Sequence, residues 1–154
     1  MPNFPIHSYL QGLKPPIHGG AGQLIADGLD PRELDDFSAS ILPLSPPAAV
    51  REAIASADAR AYPDPSCTVL HQALAEQHGL SPDRVLCANG SVALIQAIAR
   101  ACLRPGDTAL IVGPTFGEYA AAVRLVGATV AEVRTADAED VLSAIAAHLS
   151  LIHI

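Results

Sequence analysis

Apolar residues follow two different rhythms along the chain, and the change comes near residue 80. Before it, proline and glycine interrupt short helical patterns. Residues 1–17 carry Pro2, Pro5, Pro15 and Pro16 without a sustained period and read as an irregular arm, since proline removes donors and blocks helix continuation. A short helix is predicted over 21–27, closed by Gly28, and a weak alternation over 36–41 predicts a short strand. Ser45-Pro46-Pro47 reads as a helix start with Ser45 as cap, and Val50, Ala53 and Ile54 would face inward from a helix over 45–59. Tyr62-Pro63-Asp64-Pro65 is a rigid extended turn. Val69, Leu70, Ala73 and Leu74 then repeat at helical spacing up to Gly79, a residue suited to a left-handed helix end.

After residue 80 strand and helix alternate. Residues 85–88 read as an apolar strand, Asn89-Gly90 as a turn, and 91–103 as a helix with Val92, Ile95, Ile98, Ala99 and Cys102 inward. Arg104-Pro105-Gly106-Asp107 ends it. Residues 108–112 form an almost wholly apolar strand, as expected when both faces are covered. A helix over 116–126, a strand over 129–133 and a helix opened by Asp137 follow, and residues 149–154 resemble the start of another strand. This order predicts an α/β fold with a mostly parallel sheet and flanking helices. Three short apolar strands would lack neighbours, so the expectation is a truncated piece of a larger sheet.

Charge and cysteine usage narrow the partners. A net charge of −7 with scattered Lys and Arg disfavours nucleic acid and anionic membranes. No apolar stretch approaches membrane-spanning length, and the N-terminus lacks a secretory pattern, so a cytoplasmic, soluble protein is expected. Cys67, Cys87 and Cys102 lack metal-ligand spacing; Cys87 and Cys102 read as buried thiols, and no metal site is expected.

Two turns carry candidate chemistry. At Asn89-Gly90-Ser91 the amides of Gly90, Ser91 and Val92 open a helix, where free N–H groups and the helix dipole favour a phosphate. An ordinary capped helix is the alternative. Gly113-Pro114-Thr115-Phe116-Gly117-Glu118-Tyr119 follows the next strand, at the sheet edge where open α/β folds bind ligands, and Phe116 would suit a planar ring. Phe116 and Tyr119 as plain core residues are the alternative there. Lys14, the only lysine, reads as a solvated arm residue. His71, His78 and His148 read as helix-surface residues, and Asp35-Asp36 and Glu139-Asp140 as solvated charges.

Taken together, Tyr62-Pro63-Asp64-Pro65, Asn89-Gly90-Ser91, Pro105-Gly106-Asp107 and Pro114-Thr115-Phe116…Tyr119 are similar, in order and spacing over 36–148, to the class I/II aminotransferases of the pyridoxal-phosphate superfamily. His18-Gly19-Gly20 with Asp36-Phe37-Ser38-Ala39…Pro43-Leu44…Pro46 resembles the threonine-phosphate decarboxylases of cobalamin synthesis. The related histidinol-phosphate aminotransferases share the later motifs.

The resemblance implies the N-terminal part of the aminotransferase fold, with an arm and the start of a small domain over 1–46 and an incomplete large cofactor-binding domain over 47–154. Gly90, Ser91 and Val92 match the cradle for the phosphate of pyridoxal 5'-phosphate, and Phe116 matches the aromatic that stacks on its ring. Tyr62 matches a tyrosine reaching the cofactor phosphate of the opposite subunit, which implies a homodimer. His18, Gly19 and Gly20 match an element near the substrate. The implied substrate is a small amino-acid phosphate ester, with decarboxylation of threonine phosphate favoured and transamination of histidinol phosphate as the alternative. A non-catalytic truncated product or interaction module is the third reading. In two places this chain departs from the pattern. Ser40-Ile41-Leu42-Pro43 replaces the usual Asn-Ile-Asn-Pro, and no catalytic residue is assigned here, because the lysine that holds the cofactor would lie beyond Ile154.

Overall fold

The computed structural model describes residues 7–35, 37–58 and 60–147. Two compact units divide the chain: one joins residues 1–17 to 88–154, and the other runs from His18 to Cys87.

The first unit is built around a parallel pair of strands. Helix α4 (Gly90–Cys102) leads to β1 (Thr108–Gly113), then α5 (Glu118–Leu125), β2 (Thr129–Arg134) and α6 (Ala138–Ala147). Thr108 pairs with Thr129 and Gly113 with Arg134, so the register is unbroken over six residues of each strand. Parallel neighbours need a crossover, and α5 supplies it. The core lies between α4, α5 and one face of the pair: Ile95, Ala99, Leu103, Ala109, Ile111, Ala122, Val123 and Ala128 are buried together. Alternation along β1 sends Leu110 to the opposite face, where it too is buried; α6 also contacts the strand. Both faces of β1 are therefore covered over residues 109–111, as its apolar run predicts, whereas Val112 is exposed.

Three inward positions of α4 are less buried than expected. Ile95 and Ala99 are buried, whereas Val92 is half-buried and Ile98 and Cys102 are exposed. Helical periodicity marks an apolar stripe, but α5 covers only its middle. The thiol of Cys102 is thus an exposed one, and that of Cys87 is half-buried.

The second unit holds α1 (Ala21–Ala26), α2 (Ala48–Ala55) and α3 (Thr68–His78). Asp64 organises the entry to α3: its carboxylate accepts the Ser66 amide at 2.9 Å and the Thr68 amide at 2.8 Å. Gly79 ends the helix as predicted, with φ 64°. The Leu80 amide donates to Ala75 O at 2.8 Å and the Gly79 amide to Glu76 O at 3.3 Å, the two bonds of a Schellman end.

Several predictions for this unit need correction. Helix α2 starts at Ala48, with Pro47 and not Ser45 at its cap, and ends at Ala55. Val50, Ala53 and Ile54 are all exposed, because no described residue covers that stripe. Residues 37–41 form a bend at Ser38 and Ala39 and not a strand, and Asp36 lies outside the described residues. Residues 85–88, expected as a strand, form none; Val85 is extended and the rest carry no regular structure. A strand is defined by a hydrogen-bonded neighbour, and only β1 and β2 pair among the described residues. The strand expected over 149–154 lies outside the described residues. No helix among those described is long and apolar enough to cross a membrane.

Candidate functional site

Gly90 opens α4 with φ 80°, a left-handed conformation that L side chains resist. A Cβ there would meet nothing within 4 Å, so backbone conformation, not crowding, selects glycine. Asn89 occupies the cap, yet its side chain makes no capping hydrogen bond. The first-turn amides of α4 are therefore left to solvent or a ligand. Ser91 is exposed and Val92 half-buried beside them.

The second turn leaves the C-terminal end of β1. Phe116 is 42% exposed and meets the Tyr119 ring edge-on at 6.3 Å. Two close approaches hold this turn. A Cβ on Gly113 would lie 2.7 Å from Glu132 Oε1, and one on Gly117 would lie 3.0 Å from Pro16 Cβ. Glu118 follows, 8% exposed at the first position of α5, where a carboxylate suits the positive helix end.

Two of the cavities beside α5 bear on these turns. One of about 320 Å³ is lined by the arm (Leu13 to Pro16), by Val92 and Gln96 of α4, and by Glu118 and Arg124 of α5. The other, about 300 Å³, is lined by Pro114, Thr115, Phe116, Arg124, Glu132 and Arg134. Val92 and Phe116 thus belong to the same unit but to different cavities. Sequence reasoning gave Glu118 no role of its own and missed Arg124 and the arm's part in this region. Gly117 was the available signal, since a glycine beside an aromatic turn marks a close approach.

The remaining candidates lie in the other unit. Tyr62 is fully exposed. The Gly20 amide donates to Ser38 Oγ at 2.7 Å, and Gly19 sits so close to Ser38 that any side chain would collide with it. His18-Gly19-Gly20 and Ser38, distant in sequence, are therefore brought together. The half-buried His71 has an Nε2 without a hydrogen-bond partner. Carboxylates held below their usual range also lie in this unit: Asp30 by the Arg32 guanidinium, Asp58 by Arg60, and Asp64 by Thr68. No group of three or more His, Cys, Asp or Glu gathers in metal-binding geometry among the described residues.

The profile of the family described as aminotransferase class I and II matches residues 33–152. This chain belongs to that family. Among its relatives, a histidinol-phosphate aminotransferase of Sphingopyxis alaskensis is 36% identical over 145 residues, covering 90% of this chain and 38% of the relative. The crystal structure of histidinol-phosphate aminotransferase from Sinorhizobium meliloti, in complex with pyridoxal-5'-phosphate, shares the fold with a TM-score of 0.74 at 22% identity, over 94% of this chain and 40% of that one. Aspartate aminotransferase from Thermotoga maritima gives a TM-score of 0.61 at 26% identity, over 80% of this chain and 36% of that one. The chain thus spans about two fifths of the length of these relatives.

Proposed function

We propose that these residues form the N-terminal part of a pyridoxal-phosphate-dependent aminotransferase that acts on histidinol phosphate. The relative from Sphingopyxis alaskensis, matched over 90% of this chain, carries the substrate assignment. It favours transamination over the decarboxylation that the His-Gly-Gly motif implies. The proposed domain division is an arm with the start of a small domain over 1–46 and the first part of a large cofactor-binding domain from residue 47. The complete enzyme would work as a homodimer.

The described geometry fits the cofactor's phosphate at the start of α4. The turn at Gly90 has its left-handed glycine, Asn89 leaves the amides uncapped, and no atom fills the space beside Gly90. Gly90, Ser91 and Val92 would bind the phosphate through backbone N–H groups and the helix dipole. Phe116 would lie against the ring, and Tyr62 would reach the phosphate held by the opposite subunit. When bound, the cofactor supplies the electron sink for a carbanion at the substrate's Cα. The chain's own residues contribute position and charge complementarity. Lys14, exposed in the arm, is not assigned the role of the lysine that holds the cofactor.

One observation favours a second reading, decarboxylation of threonine phosphate. Gly19 and Gly20 pack against Ser38, joining the two motifs that resemble that branch. The discriminating experiment uses the full-length protein that contains these residues, with cofactor added. Histidinol phosphate and 2-oxoglutarate should yield glutamate, while threonine phosphate should release no carbon dioxide. Carbon dioxide without glutamate would move the assignment to the decarboxylase.

A further inference from the structure

The cavity of about 320 Å³ beside α5 shares Val92 with the proposed phosphate cradle, but its arm, Lys14 and Arg124 are not used by the cofactor reading. Its wall is mostly apolar, with Leu13, Pro16, Val92, Ala121 and Leu125 contributing, and its size is that of a small-ligand site. One side is the N-terminal arm, which is fixed at both ends of α5. Pro16 lies against Gly117 before the helix, where a Cβ would approach it at 3.0 Å. Tyr9 lies against Gly127 after the helix, where a Cβ would approach its ring at 3.1 Å. Two glycines thus let the arm close down on α5, and the cavity remains between them.

Its charges are not balanced within the protein. Lys14 and Arg124 line it, and neither side chain is in a hydrogen bond or ion pair among the described residues. Glu118, the carboxylate of the same wall, has an interaction of its own, and neither Lys14 nor Arg124 is paired with it. In the neighbouring cavity, by contrast, Arg134 is paired with Glu132 at 2.8 Å. An apolar chamber with two uncompensated cations is complementary to an anion with a hydrocarbon body, and a guanidinium accepts a carboxylate in bidentate fashion.

We propose that this cavity binds a small aliphatic carboxylate, its hydrocarbon body between the arm and the two helices and its charge met by Lys14 and Arg124. Occupancy would draw the arm onto α5, because Lys14 belongs to the arm and Arg124 to the helix. No step of the aminotransferase reading is involved, so the test omits the cofactor and stands whichever reaction the full-length enzyme performs.

The test is a titration of the isotopically labelled chain with 4-methylpentanoate, followed by amide correlation spectra. Saturable shifts at Leu13, Gln96, Ala121 and Leu125 are expected, with binding at least tenfold weaker for neutral 4-methylpentanamide and for inorganic phosphate. Lys14→Gln should weaken the acid at least threefold and Lys14→Arg should restore it. Lys14 is exposed, so a spectrum unchanged outside the cavity checks that the fold is retained. Equal binding of acid and amide, phosphate binding as tight as the acid, an unaffected Lys14→Gln variant, or no saturable shift at these amides would each overturn the proposal.

Discussion

The Gly20 amide donates a 2.7 Å hydrogen bond to Ser38 Oγ across eighteen residues of chain. Gly20 is buried with φ 100°, so this bond satisfies a donor that water reaches poorly. Ser38→Ala should remove about 1 kcal/mol, roughly a fivefold change in the opening equilibrium. The measurement is hydrogen exchange at the Gly20 amide, which should quicken while Leu110 in β1 is unaffected. Unchanged exchange at Gly20 would show that the bond does not hold this loop.

Gly12 and Gly127 separate backbone strain from crowding. Both have positive φ, 75° and 78°, but a Cβ on Gly12 meets nothing within 4 Å, whereas one on Gly127 meets Tyr9 and Pro105 at 3.1 and 3.2 Å. Gly12→Ala should cost about 1 kcal/mol from conformation alone. Gly127→Ala should cost about 1–3 kcal/mol more, as an overpacked site. Urea unfolding would check the order, and equal costs would mean that the arm yields freely at Tyr9.

Asp64 should make α3 sensitive to acid. Thr68, through its side chain and then its backbone amide, and next the Ser66 amide hold its carboxyl below the usual range. A carboxyl lowered in the folded state stabilises above its unfolded value, and that contribution is lost as pH falls through the folded value. The loss should therefore appear only below about pH 4. Exchange of the Thr68 amide, referred to Ala99 in α4, should quicken over that range, and Asp64→Ala should be fast throughout.

Gly90→Asp tests the cradle in the full-length enzyme. The substitution adds a carboxylate where a phosphate would sit and forces a side chain into φ 80°. Cofactor affinity, followed by absorbance, should fall at least tenfold. Gly90→Ala should fall less, since its Cβ would meet no atom within 4 Å. If both variants bind cofactor normally, the phosphate lies elsewhere.

Lys14 should not act as the cofactor's lysine. Incubating the 154-residue chain with pyridoxal phosphate, reducing with borohydride and mapping peptides should give only trace labelling, and turnover should be absent. Stoichiometric labelling of Lys14, with activity lost on Lys14→Ala, would overturn this.

What the sequence determined by itself was local and periodic. The apolar run over 108–112, the alternation of strand and helix after residue 80, and Gly79 at the end of α3 all rest on forces within a few residues. They were legible for that reason, as was the family, carried by short motifs in a fixed order. Partnership was decided only by the tertiary structure. Residues 85–88 are apolar enough for a strand but have no hydrogen-bonded neighbour among the described residues, and the stripe of Val50, Ala53 and Ile54 has no cover there. Gly117 and Gly127 look like ordinary turn residues until Pro16 and Tyr9 are found against them. Periodicity reports that a face is apolar; which surface meets it depends on contacts between segments far apart in the chain, and no local pattern encodes those.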